Sequence, residues 1–173
     1  MLGKLSKMVN IKETGMNRLN RLFIFILSAV TLITSAGCSF HNRNIYSIDD
    51  NGLYSKEWTD IVKEYPIGKK DNVRITPLFK NDDSSHYIIQ INDRERPHIH
   101  ETHDLTVIVK KGKGTLNLGK EKIAMKAGDI AFIPRGKVHY FVNESKHCTA
   151  VSYVIFSPAY HGKDKKMVAP GDL

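Results

Sequence analysis

The stretch Gly128-Asp129-Ile130-Ala131-Phe132-Ile133-Pro134-Arg135-Gly136-Lys137-Val138-His139-Tyr140-Phe141-Val142-Asn143 decides how this chain is read. Gly128-Asp129 is turn chemistry, and a short run of apolar and aromatic residues follows it. Pro134 and Gly136 turn the chain again. A second short run opens on His139, with alternate residues on one face if it is a strand. Short strands punctuated by turns, without helical periodicity, point to a β fold.

The same texture extends on both sides. Val73 to Phe79, Ser85 to Ile91, Leu105 to Val109, Gly114 to Leu118, Lys122 to Met125 and Thr149 to Phe156 are β-rich or alternating. With Ile130 to Ile133 and His139 to Val142 they are separated by Gly, Asp, Asn and Pro. Lys110 to Gly114 and Asn117 to Lys120 read as hairpin-like turns. Regular short strands with no helix between them argue for a sandwich or barrel and against a parallel α/β sheet. The segment after Pro66, about 105 residues, is long enough to bury one modest core.

Four of the eight histidines stand out. His98 and His100 are two apart, so a strand aims both imidazoles the same way. His103 follows, with Asp104 beside it, and His139 opens a later strand. Three imidazoles and a carboxylate suit one divalent transition metal, Fe, Mn, Ni, Zn or Cu. Taken alone, His-x-His is as often a surface pair.

Gly128-x5-Pro134-x-Gly136-x2-His139-x3-Asn143 resembles the second motif of the cupin family at every fixed position. Pro97-His98-x-His100, followed by an acid, an apolar strand and Gly112-x-Gly114, resembles the first. The resemblance covers roughly residues 73 to 157. It implies an all-β fold: a single jelly-roll (double-stranded β-helix) barrel, here behind a short N-terminal helix. It also implies a metal held by His98, His100, His139 and an acid. Asn92 stands where the first motif begins with Gly. Counting from His100 makes Asp104 the acidic ligand. Counting back from Gly112 lands on Leu105, and alternation from there aims His103 inward instead. The reading is Asp104, with His103 the alternative.

Weaker candidates surround this set. Arg94 and Arg96 share strand phase with His98 and His100, so Arg96 could meet an anionic substrate. Phe141, in phase with His139, reads as core ahead of substrate platform, and Tyr153 could line the same pocket or merely pack. Cys148 reads as a small buried apolar residue. No nucleophile–base pair, phosphate loop or zinc-finger spacing is present. Ser157 to Asp164 reads as a turn-rich arm over the barrel rim. The resemblance implies either a metal-dependent enzyme, dioxygenase- or isomerase-like, acting on a small organic molecule, or a non-catalytic envelope protein that binds a metal or small ligand. It also allows a homodimer.

Residues 1–37 carry a different message. Met16 to Arg21 are basic, Leu22 to Ile33 are apolar apart from Ser28 and Thr31, and Ser35-Ala36-Gly37 precede Cys38. This is the layout of an export signal, and Met16 could be its true start. The apolar run is shorter than the roughly 20 residues that span a bilayer. Ser35-Ala36-Gly37-Cys38 resembles a bacterial lipobox, which implies lipidation at Cys38. The resemblance places the chain in the cell envelope, on the periplasmic face of the outer membrane, with the membrane as partner through that lipid. Residues 38–65 read as a tether and one short helix, Ser55 to Tyr65, with Ser55 as N-cap and Trp58, Ile61, Val62 and Tyr65 on one face. Residues 66–173 form the barrel domain.

The whole chain carries 26 Lys+Arg against 18 Asp+Glu. The first 37 residues hold five of the basic residues and one acid, which leaves 21 against 17 for the remainder. No basic run is interleaved with stacking aromatics, so nucleic acid is not an expected partner.

Overall fold

A computed structural model of the chain describes residues 44–49 and 52–169. The export signal and Cys38 lie outside the described residues. Two strands, β1 (Asn44–Asp49) and β2 (Gly52–Glu57), lead into helix α1 (Trp58–Glu64). The barrel strands are β3 (Val73–Lys80), β4 (Ser85–Ile91), β5 (His98–His100), β6 (Asp104–Lys111), β7 (Lys113–Leu118), β8 (Glu121–Lys126), β9 (Ile130–Ile133), β10 (His139–Asn143), β11 (Ala150–Ser157) and β12 (Lys165–Met167).

These ten strands form two five-stranded antiparallel sheets, in the orders β3-β4-β11-β6-β9 and β12-β5-β10-β7-β8. The sheets face each other as a jelly-roll barrel. Their inner faces bury Ile89, Ile91, Leu105, Val109, Leu116, Met125, Ile133, Val154 and Phe156 as one apolar cluster. The alternation that marked the strands is the alternation between this interior and the outside. Trp58 and Ile61 of α1 pack against Ile88 and Val151, on a separate cluster.

The turns of the opening stretch behave as their residues require. Gly128 and Gly136 have φ of 100° and 73°, a region that only glycine enters without strain. The Gly136 N–H donates to the His100 carbonyl at 2.7 Å, tying the β9–β10 turn to β5. Asn143 is buried, and its amide group donates to the carbonyls of Ile91, Asn92 and Cys148 at 2.8–3.1 Å. It thus ties the end of β4 and the loop before β11 to the end of β10.

Four sequence expectations need correction. The tether is partly a hairpin, because β1 and β2 pair over six residue pairs. Ser55 is not an N-cap. It sits in β2 opposite Tyr46, and the helix starts three residues later behind Glu57, without a side-chain cap. Six cross-strand pairings outweigh one local capping bond. Lys110 to Gly114 is not a hairpin. β6 pairs with β9 and β11 while β7 pairs with β8 and β10, so the chain crosses from one sheet to the other there. Turn residues mark a change of direction without specifying which strands pair. Cys148 is exposed. Its loop is organised through backbone groups, with the Cys148 N–H on Ser145 Oγ at 3.0 Å, so the thiol is left outside.

Candidate metal centre

β10 runs antiparallel to β5, with His139 directly opposite His98. His100 lies two residues along β5, on the same inward face. All three are nearly buried, at 2–4% exposure. One ring nitrogen from each lies within 4.8 Å of the others.

Two of the rings are fixed from the far side. His98 Nδ1 donates to the Arg96 carbonyl at 2.8 Å, and His139 Nδ1 to the Lys137 carbonyl at 2.9 Å. That leaves each Nε2 as the nitrogen with a free lone pair. His139 Nε2 is buried with no hydrogen-bond partner. A buried acceptor facing no donor is costly in a folded chain unless something completes it. Ligating histidines commonly bind through one nitrogen and donate from the other to a carbonyl or carboxylate. On this observation the residues present fit a metal ion. Three imidazoles with no carboxylate suit Zn, Cu, Fe or Ni better than Mn.

Asp104 is not brought into this cluster. Its carboxylate accepts from the Arg135 backbone N–H at 2.8 Å and from the guanidinium Nε and Nη2 at 3.1 and 2.7 Å. The Arg135 hydrogen bonds hold the Asp104 carboxyl down at about 2. β6 begins at Asp104, and Leu105 takes the inward position. Strand alternation therefore sends Asp104 outward, as the count from Gly112 required. His103 is fully buried but also stands outside the cluster. Its Nδ1 meets Asp164 Oδ2 and its Nε2 meets the Ala159 carbonyl at 3.2 Å. Both nitrogens face acceptors, so neither lone pair is free for a metal.

Asp164 is the acid that sequence reading missed. It lies in the arm after β11, and its side chain is 1% exposed. It accepts from the Thr102 N–H and the Thr102 hydroxyl, both at 2.9 Å, and from His103. Its Oδ2 also lies 3.3 Å from His100 Nδ1, close but out of line for a hydrogen bond. Burial alone would raise the Asp164 carboxyl. The hydrogen bonds from His103 and Thr102 outweigh that and hold it well below the carboxylate range. Nothing local in the sequence marks Asp164, which is 64 positions beyond His100.

The three histidines share the wall of a cavity of about 110 Å³ inside the barrel. Phe141 lines it while packing against the apolar core, and Tyr160 from the arm joins it. Arg96 and Tyr153 do not. Residues 92–97 are irregular and β5 starts only at His98, so strand phase does not extend back to Arg96, which is exposed. Arg94 is exposed too and pairs with Asp93 at 3.0 Å. Tyr153 faces out of the barrel between inward Val154 and Ser152, packs against the Trp58 cluster and shares a hydrogen bond with His86 at 2.8 Å. Glu95 lines the cavity instead of Arg96, and Lys165 enters it from β12.

Burial, reinforced by His139, pushes the His98 pKa down to about 3. Burial and His139 hold His100 at about 4 despite the nearby Asp164. Neutral rings are what metal ligation needs. The sign for stability follows. Unfolded, these rings protonate near 6.5, so between that value and about 3–4 the unfolded chain binds more protons than the folded one. Their contribution is complete above about pH 6.5 and is lost progressively as the pH falls to about 3. The thermal midpoint of chelator-treated protein is expected to fall steadily from pH 7 to pH 4, before carboxylate protonation contributes much. A flat midpoint across that window would mean that these rings charge normally in the fold.

Residues 85–156 match a cupin domain. A protein of uncharacterized function from Aquifex aeolicus (strain VF5) is 42% identical over 113 residues, which cover 65% of this chain and 91% of that protein. Among solved structures, a double-stranded β-helix protein from Klebsiella pneumoniae superposes with a TM-score of 0.54 at 20% identity, covering 62% of this chain and 94% of its own. The Streptomyces nucleoside dehydratase Pac13 superposes with a TM-score of 0.50 at 17% identity, over 58% of this chain and 82% of its own. At these identities the two structures share the fold with this chain.

Proposed function

We propose that this chain, whose residues 85–156 match a cupin domain, binds one divalent transition metal through His98, His100 and His139 and acts on a small organic molecule in the adjoining cavity. The observation that carries this is the buried, unpartnered His139 Nε2 beside the two other rings, in a cavity with otherwise mainly apolar walls. A bound ion would supply Lewis-acid or redox chemistry at positions that three protein ligands leave open. The chain's own part is to hold three neutral rings in place, to keep water out with Leu105, Phe156 and Tyr160, and to set the Asp164 carboxylate 3.3 Å from His100 Nδ1. One fold hosts many reactions, so the reaction class is a matter for the site and for experiment. Elemental analysis of purified protein, followed by oxygen uptake with small phenols and diketones, tests the reading. A stoichiometric metal with oxygen uptake supports a dioxygenase-like enzyme. A stoichiometric metal without turnover favours a binding protein, and no metal after supplementation refutes the reading.

We also propose that the chain is exported and lipidated at Cys38, which would hold the barrel at an envelope membrane. The support is the basic segment, the apolar run and Ser35-Ala36-Gly37 ahead of Cys38. A fatty-acid label is expected in the wild-type chain and absent from Cys38→Ala. Since one acyl chain anchors only weakly, more than one is expected on that residue. Equal labelling of the variant would refute the assignment.

A further inference from the structure

Among the described residues, the charged side chains on the cavity wall are Glu95 and Lys165. Both are placed by backbone pairing. The Glu95 N–H donates to the Phe141 carbonyl at 2.9 Å, and Glu95 Oε2 accepts from the Phe141 N–H at 3.1 Å. Glu95 is thereby pinned beside the inward position of β10 that follows His139, roughly 7 Å along the strand. Only one of its oxygens has a hydrogen-bond partner among the described residues. Lys165 lies directly opposite His100 in the β12–β5 pairing. No carboxylate stands within salt-bridge distance of its ammonium among the described residues, while neighbouring Lys166 pairs outward with Glu101 at 2.6 Å. An acid and a cation therefore flank the metal-binding histidines along one sheet, and the opposite wall is apolar.

We infer that the cavity takes a small α-keto carboxylate, with Lys165 pairing its carboxylate and Glu95 exchanging a proton with the carbon next to its keto group. The inference rests on the metal-centre reading above and names its substrate class. Lys165 sits on an exposed edge strand and feels the attraction of Glu95, but its ammonium makes no ion pair among the described residues, so it is available to an anionic ligand. The histidine centre offers a place for an oxygen donor, and Ile, Val and Phe side chains suit a short hydrocarbon remainder. In the step, a Glu95 carboxylate oxygen forms a bond to hydrogen as the C–H bond breaks. That electron pair moves into the new C=C bond and the carbonyl pair onto oxygen, giving the enolate. Reversal returns the proton to carbon, so nothing is oxidised or reduced and no co-reactant is consumed. Burial raises the Glu95 carboxyl, against the pull of Lys165 and the Phe141 N–H, which favours a group that both takes and returns a proton.

The test uses full-length protein with its metal content measured on each sample. Calorimetry with α-ketobutyrate and its neutral amide reads the anion contact. Proton NMR in heavy water reads exchange of the methylene next to the keto group. Wild type is expected to prefer the acid over the amide. Lys165→Met is expected to weaken acid binding about 10–100-fold and to leave amide binding alone. Glu95→Gln is expected to keep binding the acid but to slow exchange by about a hundredfold or more. Thermal melts of both variants guard against unfolding, and restoration of acid binding by Lys165→Arg separates charge from packing. Equal wild-type binding of acid and amide, or no binding by the metal-loaded protein, overturns the inference while the metal reading stands. Unchanged exchange in Glu95→Gln overturns the role given to Glu95. A wild-type sample that takes up no metal refutes the metal reading itself, and the inference falls with it.

Discussion

Protein carrying His98→Ala and His139→Ala is expected to purify without transition metal, where the wild type is expected to carry about one ion per chain. The two rings face each other directly across β5 and β10, with centroids 4.4 Å apart. Removing both leaves His100, and one imidazole does not hold a divalent ion against competing buffer. Loss should be close to complete because only one imidazole of the three-histidine cluster remains. Asp104 is held by Arg135, and both His103 nitrogens face acceptors. Single replacements should each weaken metal affinity at least tenfold, by comparison with the 10–100-fold losses seen when outer partners of a site are removed. Elemental analysis after dialysis measures this, and circular dichroism confirms that the barrel persists. A full complement of metal in the double variant would place the site elsewhere and leave the barrel as a metal-free binding module.

Asp164→Ala should damage the protein far more than Asp104→Ala, although Asp104 is the acid that the motif count selects. Asp164 accepts two hydrogen bonds from Thr102 and one from His103, and its side chain is 1% exposed. Removing the carboxylate leaves the buried Thr102 and His103 donors without their acceptor, at a cost of about 1–3 kcal/mol for each group left unsatisfied. It also removes the carboxylate 3.3 Å from His100, so metal affinity is expected to fall about 10–100-fold. Asp164→Asn can still accept from Thr102 but carries no charge, and should recover part of the stability and less of the affinity. Asp104→Ala loses a surface contact with Arg135 and should bind metal as the wild type does. Chemical denaturation and competition with a chromogenic chelator give the two numbers for each variant. Equal metal affinities in Asp164→Ala and wild type would show that Asp164 serves the arm alone. Metal loss in Asp104→Ala would reinstate the motif count.

The contrast between those acids marks where linear reading stopped. The fold was legible because barrel strands alternate with a period of two, and because Gly128, Pro134 and Gly136 are residue types that turns demand for local steric reasons. His98, His100 and His139 were legible for the same reason: alternation fixes the face of two, and the turn chemistry returns the third. Phase was reliable only inside a strand. It placed Phe141 beside the cavity and failed for Arg96 across the irregular segment before β5.

The sequence by itself determined what depends on nearest neighbours: an all-β chain, its strand segments, its tight turns and three inward histidines. Tertiary structure alone decided the partners. Whether β6 turns back on itself or crosses to the other sheet depends on which distant strands compete for its edges. Asp164 meets His100 and His103 only because β12 docks on β5, and Glu95 and Lys165 share a cavity only because the two sheets close. Contacts between residues dozens of positions apart are set by packing and loop closure over the whole chain, and a carboxylate's role follows from the side chain it is buried against.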